Sequence, residues 1–288
     1  MLTRKKKIPI KELVFFGLLP SFLKIWLYRK RGYRIGKNVS IGIGSVIIGN
    51  KVEIGDNTKI GFLDLIKSTR INIDRYVTIN SFVYIDTENL EIGEDSEIRE
   101  YVYVAGLKTP ESTLKIGKRC GIFQYCFLNP TKPIILGNDC GIGGLSKLFT
   151  HGSYLSKLEG YPVTFAPITL GNNVWIPWDV FILPGVSIGD NVVIGAGSII
   201  NKNIPSNCMA AGNPAKVVKD NFPVALSDQA KLSALEEIFS EFQKHLIHNN
   251  FNVYKKPIRE GFLLNFKRKS EHQLIFMSKY YPISDVVN

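Results

Sequence analysis

The sequence predicts an all-β chain wound as a parallel β-helix, with a helical segment before it and a small helix-plus-hairpin extension after it. Three observations carry this prediction. Aliphatic residues recur every six positions, as in Ile48, Ile54, Ile60 and Ile66, or Leu170, Ile176, Ile182, Ile188, Ile194 and Ile200. A glycine often follows the aliphatic residue, as at Gly49, Gly55, Gly61, Gly171, Gly189 and Gly195. Four positions after it stands a small or β-branched residue, such as Ser45, Thr58, Val77, Ser96, Val180 or Ser198.

Six is not a helical period, because residues six apart on an α-helix are separated by about 600° and share no face. It fits a short strand followed by a tight corner. β-Branched residues suit the strand, and glycine suits a corner that needs unusual backbone angles. A single hexad buries nothing. Stacked coils of three hexads bury a continuous aliphatic column. Cys120, Cys126 and Cys140 stand four after Ile116, Ile122 and Leu136, so they are expected to fill the small position rather than to bind metal.

Composition bounds the function. The chain has 288 residues, 45% hydrophobic and 21% charged, and a formal net charge of +11. Basic residues cluster at Arg4, Lys5, Lys6, Lys7, Arg29, Lys30, Arg31 and Arg34, and again at Lys267, Arg268 and Lys269. Such a balance favours an anionic partner, but no nucleic-acid recognition motif is present, and nucleic acid is not expected. Four cysteines in a chain this long do not form a secreted framework. The first apolar run lacks a cleavage site, so a cytoplasmic protein is expected. The segment "IPIKELVFFGLLPSFLKIWLYRKRG" is interrupted by Lys11, Glu12, Pro20 and Lys24, which argues against a spanning helix. It reads either as a helix capping the main domain or as an interfacial helix on the inner face of the membrane.

The hexad beat is lost over its longest stretch between Leu148 and Leu170, and that interruption holds the only histidine of the first 240 residues, His151. The following stretch, with "NVWI", "ILPGVSIG", "VIGAGSII" and "AGNPAKVV" in order, resembles the end of the hexapeptide-repeat acyltransferases. It is most similar to the branch that acetylates xenobiotics and sugars, including enzymes of bacterial polysaccharide synthesis. The resemblance covers roughly residues 33–219. It implies a left-handed helix, against the usual right-handed preference of parallel crossovers, and a homotrimer with acetyl-CoA in the groove between subunits.

The resemblance also implies residue roles. His151, on the loop that interrupts the coils, would be the general base, which suits an imidazole. Trp175 would lie beside the pantetheine arm, and the backbone of Ala196 would bond that arm. Asn201, also expected at the donor site, stands where the family often has Thr. Lys216 and Lys219 match basic residues near the nucleotide phosphates. Pro177 and Trp178 depart from the family pattern, and the ring at 178 would crowd or stack against the donor. Asn129 is a candidate for binding the acceptor, or a turn residue before Pro130. Glu159 is a candidate partner of His151, with a backbone carbonyl as the alternative. No metal is expected.

The expected divisions are a helical segment (1–32), the β-helix (33–219) and an extension (220–288). In the extension, Ser227 is an N-cap for a helix with an apolar stripe at Leu232, Leu235, Phe239, Phe242 and Leu246. His245 and His248 fall on its exposed side. "GFLLNFKRK" and "HQLIFMSKYYP" read as two strands.

The reading that results is an acetyl-CoA-dependent acetyltransferase acting on a hydroxyl or amino group of a sugar or polysaccharide precursor. The alternative is a non-catalytic scaffold or membrane-associated assembly protein. A zinc hydratase on the same fold would need three histidine ligands, and the repeats offer one. A nucleotidyltransferase would need a nucleotide-binding domain ahead of the repeats, and no phosphate loop is present.

Overall fold

The computed structural model describes residues 10–152, 154–258, 261–268 and 271–278. Arg4, Lys5, Lys6 and Lys7, and the end of the second expected C-terminal strand after Ser278, lie outside them. The chain forms two compact units that divide after Pro223, and α1 (Ile10–Gly17) and α2 (Ser21–Lys30) belong to the first.

The hexads fold into short parallel strands on the three faces of a β-helix. On the first face Ile35, Ile54, Ile73 and Ile92 stack in register. Ile41, Ile60, Ile79 and Ile98 do so on the second face. Ile85, Val104, Leu128, Leu148, Ile182 and Ile200 form the column of the third. These side chains are buried, each contributing about 1.5–3 kcal/mol of burial free energy. The loop after Leu148 does not disturb the register, because Leu170 stacks directly on Leu136.

The expected small positions are buried and carry a second pattern. Ser45 Oγ donates to Gly61 O (2.6 Å) and accepts from Asp64 N (2.9 Å), the same small position of the next coil. The cysteines imitate this, with Cys120 Sγ donating to Gly137 O (3.1 Å), Cys126 Sγ to Gly143 O (3.2 Å) and Cys140 Sγ to Gly171 O (3.1 Å). Burial also pushes the Cys126 thiol up to about 12, and all four cysteines are free and buried. A thiol reagent such as Ellman's is therefore expected to titrate none of them in the native protein and four after denaturation.

The corners differ chemically. At the first corner, between faces one and two, Asn38, Asn57, Asp95, Asp139, Asn173, Asn191 and Asn207, joined by Tyr76 and Arg119, hold φ between 53° and 59°. Asn and Asp tolerate this left-handed conformation, and the carboxamides bond from coil to coil, as Asn173 to Asn191 (3.0 Å) and Asn191 to Asn207 (2.9 Å). At the second corner, between faces two and three, the same conformation is taken by Leu63, Phe82, Tyr101, Tyr125 and Leu145. Bulky residues there cost about 1–2 kcal/mol each, yet their side chains stand in solvent. Phe82, Tyr101 and Tyr125 stack with centroids 5.0 Å apart.

The helices close the open end of the β-helix, whose first coil would otherwise present unpaired backbone groups. Lys24 is fully buried and donates from Nζ to Gly42 O (2.6 Å) and Ser45 O (2.9 Å). Ile41 N donates to Ser21 Oγ, Ile47 N to Tyr28 Oη, and Arg29 to Ile35 O and Gly36 O. Phe16 and Tyr28 stack at 4.8 Å against the end of the core. At the other end, the antiparallel pair Cys208–Gly212 and Ala215–Asp220 finishes the second face.

The second unit holds α3 (Asp228–His248), capped by Ser227 accepting from Ala230 N at 3.2 Å. Phe239 and Leu246 are buried, and His245 and His248 are exposed; the side chain of Leu232 is outside the description. The expected hairpin is present as Gly261–Arg268 and Glu271–Ser278, and Asn252–Ile258 adds a third antiparallel strand. Its Lys255, Lys256 and Pro257 hide it in the sequence. It pairs on one side only, the position in a sheet where proline is tolerated.

Candidate active site

His151 begins the interruption at the third corner, between the third face and the next coil's first face. Thr150 anchors the entry, with its Oγ1 donating to Asn129 O (2.7 Å) and accepting from Lys132 N (2.9 Å). His151 then pairs antiparallel with Phe165, and Ala166 N returns to Thr150 O (3.0 Å), so the loop's two ends are clamped together. The imidazole stacks on the Phe165 ring with centroids 5.8 Å apart and planes 18° from parallel.

The edge of the imidazole meets Thr131, with His151 Nδ1 and Thr131 Oγ1 3.3 Å apart. The rest of that hydroxyl is accounted for. It donates to Asn129 Oδ1 (2.9 Å) and accepts from Leu107 N (2.9 Å). A hydroxyl has one proton and two lone pairs, so Thr131 has only an acceptor left for His151. Nδ1 therefore carries the ring proton, and Nε2 carries the lone pair. Among the described residues Nε2 has no hydrogen-bond partner. Burial holds the imidazole below its ordinary pKa, so it is neutral at neutral pH.

Gly106 makes this packing possible, since a Cβ there would lie 2.2 Å from Asn129 Oδ1 and 2.6 Å from Thr131 Oγ1. Neither Gly106 nor Thr131 stands out in the sequence; the available signal was the break of the hexad after "FLNPTKP". Asn129 is buried against the site, its Oδ1 engaged by Thr131. Glu159 is exposed on the 3-10 turn Lys157–Glu159 and makes no bond to His151 among the described residues. The side chain at Nδ1 is Thr131 in its place. Asn201 lies exposed on the same corner, beyond Leu183 and Pro184; Leu183 N donates to Ile200 O (2.9 Å), and a Cβ on Gly152 would lie 4.0 Å from Pro184 Cγ.

Asn201 apart, the residues matched to the donor occupy another part of the surface. Trp175 is outward on the second face, 6.0 Å from Phe123 and over Gly141, whose missing Cβ leaves room for the ring. Trp178 and Ala196 are neighbours in successive coils of the second corner, joined by Gly197 N to Trp178 O (3.0 Å). The Trp178 ring fills the space over Gly144. Lys216 and Lys219 are exposed on the closing strand, opposite Ala211 and Met209, with Lys219 Nζ 5.3 Å from the Phe222 ring. Within one chain the third face separates Trp175, Trp178, Ala196, Lys216 and Lys219 from His151, Asn129 and Asn201. No group of three His, Cys, Asp or Glu positioned for a metal occurs among the described residues.

The coils after the loop carry the similarity to known proteins. Residues 167–202 match the family described as bacterial transferase hexapeptide (six repeats). The chain is 63% identical over 54 residues to a galactoside O-acetyltransferase of Escherichia coli, covering 19% of this chain and 27% of that one. It is 38% identical over 87 residues to a putative colanic acid biosynthesis acetyltransferase of the same organism, covering 30% and 47%. The matches thus span about a quarter to a half of these curated relatives. Among solved structures, a polySia-specific acetyltransferase aligns at 23% identity and a TM-score of 0.42, over 74% of this chain and 93% of that one.

Proposed function

We propose that the protein is an acetyl-CoA-dependent acetyltransferase that acetylates a hydroxyl or amino group of a sugar or polysaccharide precursor. The observation that carries this is the state of His151: Nδ1–H is committed to Thr131, and Nε2 is left as a base at the mouth of the loop. Nε2 takes the proton of the attacking hydroxyl or amine, the new C–O or C–N bond forms at the thioester carbonyl, and the coenzyme A thiolate leaves and is protonated. A backbone N–H of a neighbouring coil serves the oxyanion. With Oδ1 engaged by Thr131, Asn129 turns its amide donor to the acceptor. The galactoside and colanic acid relatives support a sugar acceptor.

The donor residues reach His151 when the second corner of one subunit meets the third corner of its neighbour. Contact between two different surfaces closes into a ring when the rotation per subunit allows it, and a three-fold ring is a homotrimer with Trp175, Trp178, Ala196, Lys216 and Lys219 completing a neighbour's site. The exposed stack of Phe82, Tyr101 and Tyr125 supports this, because it runs along the corner that would be covered. Sedimentation velocity is expected to give a trimer for the wild type and monomers for Tyr101→Glu/Tyr125→Glu; a monomeric wild type would overturn the shared site. The reading places the protein in the cytoplasm, where acetyl-CoA is available and free thiols stay reduced.

The function itself is tested by coenzyme A release from acetyl-CoA across a panel of sugars, amino sugars and nucleotide sugars. Acceptor-dependent release supports it. A protein that fails to bind acetyl-CoA at all rejects it.

A further inference from the structure

We propose that the outer face of α1 and α2 docks the protein on an anionic lipid bilayer. The inner faces of these helices are accounted for by the end of the β-helix, through Phe16, Lys24 and Tyr28. The outer face is apolar and bare: Val14, Phe15, Leu18, Phe22 and Trp26 are all more than half exposed. On α2 the exposed rings lie four apart at 22 and 26, and Lys30 continues the same stripe, its Nζ 5.6 Å from the Trp26 ring. Arg29 and Arg31 stand at the same end of the helix. Arg29 spends its donors on the carbonyls of Ile35 and Gly36, and Arg31 lies over the Phe16 ring. No carboxylate pairs with Arg29, Lys30 or Arg31 among the described residues.

Charge decides the occupant. Residues 1–37 contain eleven Lys or Arg and one acid, Glu12, which is nearly all of the chain's net +11. A second copy of this face would bring like charges together. Val14, Leu18 and Phe22 offer nothing to a phosphodiester backbone. An apolar stripe ending in an aromatic ring and flanked by basic residues matches the boundary between acyl chains and anionic headgroups. The protein would lie on this surface without crossing it, since no described helix is long and apolar enough to span a membrane. His151 sits five coils further along the axis, about 24 Å at the usual strand spacing, so a docked protein presents its site beyond the headgroups, toward an acceptor held at the membrane.

Co-sedimentation of the full-length protein with phosphatidylglycerol-rich vesicles and with pure phosphatidylcholine vesicles tests this. Wild type is expected to bind the anionic vesicles at least ~10-fold better, with binding that weakens as salt is raised. Phe22→Ser/Trp26→Ser should lose ~10-fold or more of that partitioning, while circular dichroism and coenzyme A release in free solution stay unchanged. Binding by the variant equal to wild type, or no preference for anionic vesicles, overturns the proposal. So does a change of oligomeric state in the variant without any vesicle binding by wild type, which would mark this face as a contact between copies.

Discussion

His151→Ala is expected to lower acceptor-dependent coenzyme A release by at least ~100-fold, the usual contribution of a positioned general base. The substitution should leave the fold intact. The loop entry is held by Thr150 through Asn129 O and Lys132 N, and the exit by Ala166 N on Thr150 O, none of which uses the imidazole. The wild-type pH profile supplies a second check. Burial lowers the His151 pKa, so the neutral base persists below the ordinary imidazole range. The rate should be flat through neutral pH and fall only as acid protonates Nε2, at a pH below about 6.5. Circular dichroism confirms folding. Equal release by folded wild type and folded His151→Ala would remove His151 from the chemistry and leave the transferase reading standing.

Thr131 gives the same argument a finer edge. Thr131→Val keeps the shape and deletes the acceptor that fixes the Nδ1–H tautomer. A fall of roughly 10-fold in kcat is expected, with KM for acetyl-CoA unchanged, and Thr131→Ser should restore it. A purely structural role would instead cost stability alone, because Leu107 N and Asn129 Oδ1 lose a partner in either case.

Much of the architecture was legible because a stacked fold writes itself in one dimension. Each aliphatic residue of the hexad sits above its counterpart in the coil before, so the period in the chain is the column in space. The loop at His151 was legible as the longest failure of that period. Thr131 and Gly106 were not, because their roles depend on three coils meeting at one corner, and nothing local marks them. The helical cap was only half legible. Lys24 looked like an interruption of an apolar run, whereas its ammonium group satisfies carbonyls of the solenoid's first coil. The third C-terminal strand was obscured by Pro257, since propensity alone does not reveal that a strand will be an edge.

Asp64 shows the cost of a wrong residue in a repeating position, and Asp64→Ser is expected to stabilise the protein at alkaline pH. Asp64 occupies the small position that holds Ser45, Val83, Val102, Cys126, Ser146 and Ser198 in other coils, and it is fully buried. Its Oδ1 accepts from Val83 N at 2.8 Å, but its Oδ2 is buried with no partner. Burial pushes the carboxyl up to about 7, and the backbone donors Val83 and Gly61 only partly oppose this. The folded protein therefore keeps the proton through a range in which the unfolded chain releases it. Stability from this group is fully present below about pH 4, declines as pH rises, and is lost above about pH 7. Each tenfold gain in proton affinity on folding corresponds to roughly 1.4 kcal/mol, so the penalty at alkaline pH is on the order of 2–4 kcal/mol. Serine keeps an acceptor for Val83 N, as Ser45 does for Asp64 N, and carries no charge. Urea unfolding at pH 8 should show Asp64→Ser more stable than wild type by about that amount, with the difference shrinking toward zero near pH 4. A pH-independent difference, or a less stable variant at pH 8, would mean that the carboxylate is solvated or paired in the folded protein.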